Sequence, residues 1–420
     1  MTAWLGNHKA AQLIDLRDLA ASWRSGRLTS GKDFFRSRLA WTLAVVLLML
    51  GALSSMQGFL NAVRPNGSQD FQWSVSRQLL KHENPYRLFI EGGAGTMPVY
   101  PASAEMFLWP VAALNFDDAK WVWAAANMLF AIGSIVLVAR ITEMSGVLMV
   151  SLLGLFLAST PVRTTVGNGQ HGLFSFFFFL LAIDLQRHGK TPAAALCLAA
   201  SWLKYTISFP LSLIFIRREW RKTFALACAV HLGLTLFLAF WTGETPLNLV
   251  LGPLMLAGNS VTASMFDVIA IGRYIGLSSL IGPASVGIAL LIVVAALMFK
   301  SKNDLIFDLS LLSLLSLVWG YHWQYDYFVL IIPLAYSLKR LRQDTIDSAD
   351  ILTILSVFLI WFVQRIVDSA VAWTSGTASL SVASNVIFWL TCLVFYAAFI
   401  SYLTSAFMRQ RRAMLTIPRD

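Results

Sequence analysis

The sequence predicts an all-α protein that crosses a membrane many times. Of its 420 residues, 57% are hydrophobic and only 13% are charged, and its mean hydropathy is +0.67. Soluble domains carry about 25% charged residues, so this composition excludes a large soluble enzyme. Apolar runs recur along the chain, and the longer ones reach the roughly 20 residues that a helix needs to cross a bilayer. These runs lie at 39–63, 99–116, 121–138, 147–159, 173–185, 192–204, 207–216, 224–241, 277–299, 305–319, 328–338, 351–367 and 386–408.

The N-terminal segment, residues 1–38, is long, polar and basic. Its length argues against a cleavable signal peptide, in which the charged region before the apolar core is short. Lysine and arginine mark the cytoplasmic side of membrane proteins, so we expect this segment to be cytoplasmic. The stretch IDLRDLAASWRSG within it predicts a short interfacial helix. The basic residues that support this placement are Arg17, Arg24, Arg27, Lys32, Arg36 and Arg38.

The later basic clusters set the number of crossings. If all thirteen apolar runs crossed the membrane, every later cluster would lie outside, against the positive-inside rule. If the run 99–116 does not cross, all of them become cytoplasmic. The sequence therefore predicts about twelve transmembrane helices within residues 39–408, both termini in the cytoplasm, and a cytoplasmic tail at 409–420. The clusters are RHGK at 187–190, RREWRK at 217–222, KSK at 300–302, KRLRQ at 339–343 and RQRR at 409–412.

The same topology makes residues 64–120 one large extracytoplasmic loop that carries amphipathic helices. Within it, VYPASAEMFLWPVAAL is predicted to form a re-entrant or membrane-surface helix. Irregular backbone at membrane depth needs protein or water around it, which indicates a cavity. The two short apolar runs on either side of the turn Lys204-Tyr205-Thr206 would leave a depression that opens outward.

Asp70 is the first candidate site residue. Ser68 is predicted to cap a helix whose apolar stripe contains Phe71, Val75 and Leu79. Asn84-Pro85 is predicted to end this helix. An acid in the first helical turn stabilises the helix dipole, which is a purely structural interpretation. A carboxylate beside an outward cavity is also what a general base requires.

Lys204 and Arg163 are the candidate cations. Lys204 lies between two apolar runs, where an ammonium group is costly unless it faces a cavity or a partner. Snorkelling to the membrane surface is the structural alternative. The functional interpretation is a phosphate ligand, and Arg163 is then available to the same anion.

Two aromatic or amide-rich segments complete the candidate set. In GYHWQYDY, His322 and Asp326 are separated by four residues and interleave with tyrosines and a tryptophan. This pattern is typical of a sugar site and also of an interfacial aromatic belt. In the turn NGQH, Asn168 and Gln170 provide either a simple glycine turn or amide hydrogen bonds to a sugar or phosphate.

Several function classes receive no support. The basic residues form neither a face nor a repeat, which argues against nucleic-acid binding. The three cysteines lie in apolar runs without metal-type spacing, and the adjacent pair Asp117-Asp118 is predicted to cap a helix. No nucleotide-binding or nucleophile-elbow motif occurs. We therefore predict neither a metal nor another cofactor.

Four motifs in order resemble glycosyltransferase family 87. They are DFQWSVSRQLLKHENPY followed by VYPASAEMFLWPVAAL, GNGQHGLFSFFFFLLAIDLQRHGK, LCLAASWLKYTISFPLSLIFIRREWR and YHWQYDYFVLIIPL. The family contains GT-C-type membrane enzymes that use polyprenyl-phosphate sugars. The resemblance implies a GT-C-type fold with its active site in an extracytoplasmic cavity. The YPP-like segment of the family is Tyr100-Pro101-Ala102 here, and its lysine-proline pair is Lys204-Tyr205.

The resemblance also implies a reaction and its partners. Asp70 matches the acid that is the expected catalytic base, so an acceptor hydroxyl would attack the anomeric carbon with inversion. Lys204, Arg163 and His322 would stabilise the departing polyprenyl phosphate. The implied partners are a polyprenyl-phosphate donor of mannose or a related sugar, a lipid or glycan acceptor, and membrane lipids. The implied location is the inner membrane of a bacterium.

Two other functions remain open from the residues alone. A lipid or sugar transporter or flippase would use charged groups such as Lys204 and Asp326 along a substrate path. The halves of the chain show no internal repeat, which many transporters have. A polysaccharide ligase or polymerase would also act on lipid-linked donors, and long outer loops in the C-terminal half would favour it.

Overall fold

The computed structural model describes residues 38–92, 95–217, 219–260, 267–277, 281–299, 301, 303–363, 366–367 and 378–415. The predicted N-terminal interfacial helix lies outside these residues, as does the end of the C-terminal tail. Every regular element of the described residues is helical. The α-helices are α1 (Arg38–Val63), α2 (Trp73–Leu80), α3 (Pro85–Ile90), α4 (Ala102–Glu105), α5 (Trp109–Ala112), α6 (Phe116–Thr142), α7 (Val147–Ala158), α8 (Thr160–Gly167), α9 (Gly172–Arg187), α10 (Thr191–Ser201), α11 (Tyr205–Ser212), α12 (Arg221–Thr242), α13 (Pro246–Ser260), α14 (Val268–Tyr274), α15 (Ile281–Phe299), α16 (Leu305–Val318), α17 (Ile331–Arg342), α18 (Ser348–Phe358) and α19 (Ala378–Leu415).

The lengths of these helices show a membrane protein with several crossings. Among the described residues, six helical stretches are long and apolar enough to span a bilayer. The pair α7–α8, bent by 53°, makes a seventh if it counts as one span. Helices such as α16 and α17, with 14 and 12 residues, are shorter than the roughly 20 that a perpendicular crossing needs. The predicted number of twelve crossings therefore stays a prediction.

The helical stretch Thr191–Ile216 reverses direction near Lys204. Trp202 Nε1 donates to Ser212 Oγ at 2.8 Å, although ten residues of straight helix would separate these positions by about 15 Å. The two ends of the stretch also lie close together, because the Gln186 side chain accepts hydrogen bonds from Thr191, at its start, and from Thr223, which follows its end in α12. Lys204 itself has φ −109° and ψ 74°, outside helical values. The chain thus forms a hairpin whose tip is Lys204, so the stretch Thr191–Ile216, although long and apolar enough for one crossing, does not form a single straight span.

Helix α16 lies at the centre of the main hydrophobic core. Every residue from Ile306 to Val318 is buried, including three serines whose hydroxyls donate to backbone carbonyls of the same helix. Its neighbours include α11 and α17, and the described part of α19 closes the core with Phe395 and Tyr402. The rigid centre supports the loops at the end of the bundle where the candidate residues lie.

The segment 64–120 forms four short α-helices and a 3-10 turn above this bundle. The predicted membrane-surface helix is broken into α4, the turn Met106–Leu108 and α5, and none of them is long enough to cross. Asn84 does not merely end α2, because its side chain accepts from the backbone N–H groups of Tyr86 and Arg87 and so caps α3. The stripe of Phe71, Val75 and Leu79 is buried, as its spacing predicts.

Helices α1 and α7 approach closely through glycine. A Cβ atom at Gly51 would lie 2.7 Å from Gly154 O, and one at Gly154 would lie 2.6 Å from Leu47 C. Both contacts are with backbone atoms, which cannot rotate away as the end of a flexible side chain can. Small residues of this kind let membrane helices touch, and their contact replaces the hydrophobic effect, which is weak between helices in lipid.

Replacing Gly154 by leucine is therefore expected to destabilise the fold by about 1–3 kcal/mol, because overpacking forces α1 and α7 apart. The measurement is the thermal unfolding midpoint of the purified protein in detergent. Gly233→Leu is the matched control, since Gly233 lies in α12 and a Cβ atom added to it would have no neighbouring atom within 4 Å. Equal midpoints for the two variants would contradict this account of the α1–α7 contact.

Candidate functional site

A cavity of about 610 Å³ lies between the 64–120 loop, the turn after α8, the Lys204 hairpin and the 320–327 loop. Six of the eight candidate residues predicted from the sequence line it: Asp70, Tyr100, Asn168, Gln170, Lys204 and Asp326. The volume is in the range of a small-molecule site. Its other lining residues are Gln69, Gln72, Thr96, Met97, Val99, Tyr205, Thr206, Tyr321, Trp323 and Tyr325.

Asp70 is held against the turn that follows α8. Its backbone N–H donates to Asn168 O at 3.0 Å, and Asn168 Nδ2 donates to Asp70 Oδ2 at 3.3 Å. The neighbouring Phe71 is buried and stacks on Trp123 with ring centroids 5.2 Å apart. Gly169 has φ +68°, and a Cβ there would meet Ser68 at 2.9 Å. These contacts fix the position of the carboxylate, which stays partly exposed to the cavity.

The prediction that Asp70 lies in the first turn of a helix is wrong. Helix α2 begins at Trp73, and Asp70 belongs to the turn before it. Ser68 does not cap this helix, because its hydroxyl donates back to Ala62 O at 3.0 Å and its φ is +53°. The N-cap residue of α2 is Gln72, which makes no side-chain cap hydrogen bond. Asp70 is held by Asn168, 98 residues further along the chain, and no local sequence pattern predicts such a contact.

Lys204 has two acceptors in the structure. Its Nζ lies 2.5 Å from Asp326 Oδ1 and 3.2 Å from Gln170 Oε1. Both members of the ion pair are almost completely buried. Its backbone N–H donates to Ser175 Oγ at 2.9 Å, which anchors the tip of the hairpin to α9. Lys204 also lines the cavity, so a ligand there lies close to its charge.

The Asp326 carboxylate contacts His322 through one oxygen and Lys204 through the other. The His322 Nδ1 atom lies 3.2 Å from Asp326 Oδ2, and the backbone N–H of Trp323 donates to the same oxygen at 3.3 Å. Burial opposes ionisation of this carboxyl, but Lys204 and His322 outweigh it and hold its pKa below the ordinary value. His322 is fully buried and does not line the cavity. The structure therefore places His322 against Asp326 and outside the cavity lining, so its position does not support the predicted contact with a phosphate.

A chain of hydrogen bonds extends from Lys204 into the outer loop. Tyr100 OH donates to Gln170 Oε1 at 3.2 Å, the same oxygen that Lys204 contacts. Tyr86 OH donates to Tyr100 O at 2.7 Å. Burial and nearby carboxylates raise the pKa of Tyr100, so its hydroxyl keeps its proton and remains a donor.

Aromatic rings form one wall of the cavity. The Lys204 ammonium lies 4.4 Å from the centroid of the Tyr325 ring, a cation–π contact. Trp323 stacks near Tyr325 with centroids 6.3 Å apart. Tyr321 and Tyr205 complete this wall. Flat rings beside polar groups suit the alternating apolar faces and hydroxyls of a sugar.

Arg163 is not in this cavity. It lines a second cavity of about 680 Å³, together with residues of α1, α8 and the segment after α18. Asn168 lines both cavities. The hypothesis that Arg163 and Lys204 bind the same anion is therefore not supported by their positions.

Glu105 is a buried carboxyl group in the 64–120 loop that was not among the predicted site residues. It is fully buried, and its Oε2 accepts from Ser76 Oγ at 2.5 Å, while Oε1 has no hydrogen-bond partner among the described residues. Burial raises the pKa of this carboxyl to about 8, although the Ser76 hydrogen bond acts in the opposite direction. The available signal was a single acid in the apolar run 99–116.

Glu105→Gln is expected to change how stability depends on pH. Because the folded pKa lies above the ordinary value of 4.5, Glu105 stabilises the folded protein at low pH and loses this contribution as pH rises to about 8. We expect the free energy of unfolding of the variant, measured relative to that of the wild type, to rise by roughly 1.4 kcal/mol for each pH unit between pH 5 and pH 8. Glu91→Gln, at an exposed ion pair, should track the wild type. Parallel curves for Glu105→Gln and the wild type would show that Glu105 is ionised in the fold.

The part of the chain that the structure describes contains no candidate metal-binding site. No group of three or more histidine, cysteine, aspartate or glutamate side chains lies close enough together there to hold a metal ion. The cavity residues are instead arranged as one partly exposed carboxylate, one buried ion pair, and amides and aromatic rings.

The comparisons with known proteins give one match. The model of glycosyltransferase family 87 matches residues 99–320, more than half of the chain. The matched range contains Tyr100, Asn168, Gln170 and Lys204, and Asp70 precedes it. Searches of curated proteins and of solved structures return no match.

Proposed function

The chain is a member of glycosyltransferase family 87, and from this premise we propose that it transfers a sugar from a polyprenyl-phosphate donor to a lipid or glycan acceptor. Membership makes it a membrane glycosyltransferase, and the apolar helices agree with a multi-pass protein. One observation carries the finer proposal. A partly exposed carboxylate, Asp70, and a buried ammonium group, Lys204, line the same cavity.

Asp70 is the general base of the proposed reaction. Its carboxylate takes the proton of the acceptor hydroxyl while that oxygen attacks the anomeric carbon. The bond between the anomeric carbon and the phosphate oxygen breaks, and its electron pair leaves with the polyprenyl phosphate. One displacement from the opposite side inverts the anomeric configuration. The hydrogen bond from Asn168 fixes the direction in which the carboxylate points.

Lys204 supplies positive charge to the leaving group. Its ammonium group is ion-paired with Asp326 and donates to Gln170, and in the proposed reaction it also contacts a phosphate oxygen. Because the site is buried, this contact is stronger than in water and needs no reorganisation during the reaction. Asp326 and His322 act through Lys204, since they hold the ammonium group in place.

Amides and rings hold the sugar. Gln170, Asn168 and the Tyr100 hydroxyl offer hydrogen bonds to hydroxyl groups, and the wall of Tyr321, Trp323 and Tyr325 offers flat apolar surfaces. Mannose or a related sugar is the proposed donor sugar on the basis of family resemblance. Proximity of the two substrates in one site contributes further to the rate.

The proposed placement is the plasma membrane of a bacterium, with both termini in the cytoplasm and the cavity on the extracytoplasmic side. The support is the distribution of lysine and arginine between the apolar runs. Fusion of a reporter after Gly172 tests this orientation. A cytoplasmic signal there would contradict the twelve-crossing topology.

The proposed reaction is tested with purified protein and a panel of polyprenyl-phosphate sugars carrying mannose, glucose, galactose or arabinose. With membrane lipid extract as the acceptor source, one donor is expected to be consumed and free polyprenyl phosphate to appear. If no donor is consumed but labelled lipid crosses a reconstituted bilayer, the transporter hypothesis replaces this one.

A further inference from the structure

Tyr205 is the first residue of α11 and directly follows Lys204 at the tip of the hairpin. It is partly exposed and lines the main cavity. A tyrosine hydroxyl can both donate and accept a hydrogen bond, yet that of Tyr205 makes no hydrogen bond with any residue that the structure describes. The cavity wall therefore carries a polar group whose hydrogen-bonding capacity is left to a ligand.

The backbone on both sides of Tyr205 is anchored. The Lys204 N–H donates to Ser175 Oγ at 2.9 Å, and Trp319 Nε1 donates to Thr206 O at 2.6 Å. These two contacts hold the start of α11 against α9 and against the residue that follows α16. Because the backbone is already fixed, a ligand that bonds to the Tyr205 hydroxyl orders little more than one side chain, and the loss of conformational entropy on binding is small.

Other tyrosines of the cavity are already engaged by the protein. Tyr100 OH donates to Gln170 Oε1 at 3.2 Å, so it also supports the position of Lys204. The ring of Tyr325 lies against the Lys204 ammonium group, 4.4 Å from its centroid. Replacing either of them would disturb Lys204, whereas the Tyr205 hydroxyl can be removed without breaking a hydrogen bond within the described part of the chain.

The place of Tyr205 in the chain relates it to the sugar. In the proposed reaction the Lys204 ammonium group contacts the phosphate, and the sugar is bonded to that phosphate through its anomeric carbon. Consecutive Cα atoms lie about 3.8 Å apart, so Tyr205 enters the cavity from nearly the same point as Lys204. Its hydroxyl is therefore placed for the part of the donor next to the phosphate, which is the sugar ring.

We propose that the Tyr205 hydroxyl forms a hydrogen bond with one hydroxyl group of the transferred sugar and thereby helps to select that sugar. This inference rests on the proposed function, because that function supplies the sugar donor. A site that bonds a substrate hydroxyl discriminates against analogues that lack it, since the polar group of the site then stays unpaired. Tyr205 is a specificity-determining residue in this account and takes no part in proton transfer.

The test measures binding to the purified wild type and to Tyr205→Phe in a neutral detergent. The probes are polyprenyl-phosphate mannose, glucose, galactose and arabinose, and polyprenyl phosphate without a sugar. Phenylalanine keeps the ring and removes only the hydroxyl. The donor that the wild type binds most tightly is expected to bind the variant about tenfold more weakly, the effect of losing one hydrogen bond. Polyprenyl phosphate should bind both proteins equally.

Monodeoxy analogues of the tightest-binding donor identify the hydroxyl that Tyr205 contacts. One analogue should bind the wild type about tenfold more weakly than the parent donor does, and should bind Tyr205→Phe as tightly as the parent, because the two changes remove the same bond. The other analogues should keep the ratio between the two proteins that the parent shows. Tyr274→Phe is the matched control, since Tyr274 is 56% exposed and does not line the cavity. It should bind every probe like the wild type.

Three results would overturn the inference. Equal binding of the parent donor by the wild type and Tyr205→Phe would show that the hydroxyl makes no contact with it. An equal loss for polyprenyl phosphate would assign the hydroxyl to the phosphate instead of the sugar. The same loss for the parent donor and every analogue would give Tyr205 only a structural role.

Consumption of the donor by the wild type is measured in parallel. If the donor is consumed but any of these three results is found, the inference fails and the proposed reaction stands. If Tyr205→Phe shows the expected sugar-dependent loss but the wild type consumes no donor, the sugar contact stands and the proposed reaction fails. Failure of the wild type to bind any of the four donors would overturn both.

Discussion

Asp70→Asn is expected to lower the turnover number by about 10²–10⁴-fold, the usual contribution of a general base. Asparagine keeps the size of the side chain and can still contact Asn168, but it cannot accept the proton of the acceptor hydroxyl. The measurement is the rate of polyprenyl phosphate release at saturating donor and acceptor. Binding of the donor should remain close to that of the wild type, because the substitution leaves Lys204 unchanged.

Glu83→Gln is the control for this variant. Glu83 is an exposed acid of the same outer loop and does not line the cavity, so its turnover number should equal that of the wild type. Normal turnover by Asp70→Asn would remove Asp70 from the role of base. Loss of donor binding together with turnover would instead indicate that Asp70 positions the donor.

Lys204→Met is expected to have two separate effects. It leaves the buried Asp326 carboxylate without its ammonium partner, and breaking such a pair typically costs about 3–5 kcal/mol of stability. It also removes the cation for the leaving phosphate, so donor affinity and turnover should fall. The thermal unfolding midpoint and the binding of a polyprenyl phosphate measure these effects independently.

The double variant Lys204→Met with Asp326→Asn separates the two effects. Its site contains no unpaired buried charge, so much of the stability should return, while the affinity for polyprenyl phosphate should stay low. Arg217→Met provides a comparison at a distant ion pair, where Arg217 lies 3.7 Å from Asp308. It should lower stability without changing phosphate affinity. Recovery of full affinity in the double variant would show that Lys204 has only a structural role.

The class of the protein could be predicted from composition alone, because nothing but a membrane tolerates so many apolar runs. Most members of the main cavity could also be predicted, because Asp70, Asn168, Gln170 and Asp326 lie in polar segments between such runs and Lys204 lies at the end of one. Six of these residues meet at one cavity in the structure. Their catalytic and binding roles remain predictions that the variants above test.

The pairing of these residues could not be predicted. Lys204 and Asp326 are 122 positions apart, and Asn168 and Asp70 are 98 positions apart. Such contacts depend on how the helices pack, and local periodicity contains no information about them. The same reason explains why Arg163 was grouped with Lys204, although α8 directs it into a different groove.

The number of membrane crossings was harder to predict than the class of the protein. Charge distribution predicts sidedness, but the described helices range from short buried ones such as α16 to long exposed ones such as α1. A short helix such as α16 is stabilised here because its neighbours bury every residue from Ile306 to Val318. Hydropathy therefore indicates where the chain is apolar without stating whether each apolar run spans the bilayer.

The stereochemistry of the product tests the central proposal most directly. Wild-type protein is incubated with the donor that it consumes, and the anomeric configuration of the new glycosidic bond is determined by nuclear magnetic resonance. A single displacement with Asp70 as base predicts inversion relative to the polyprenyl-phosphate sugar. A product with retained configuration, or no glycosidic product from any donor in the panel, would contradict it.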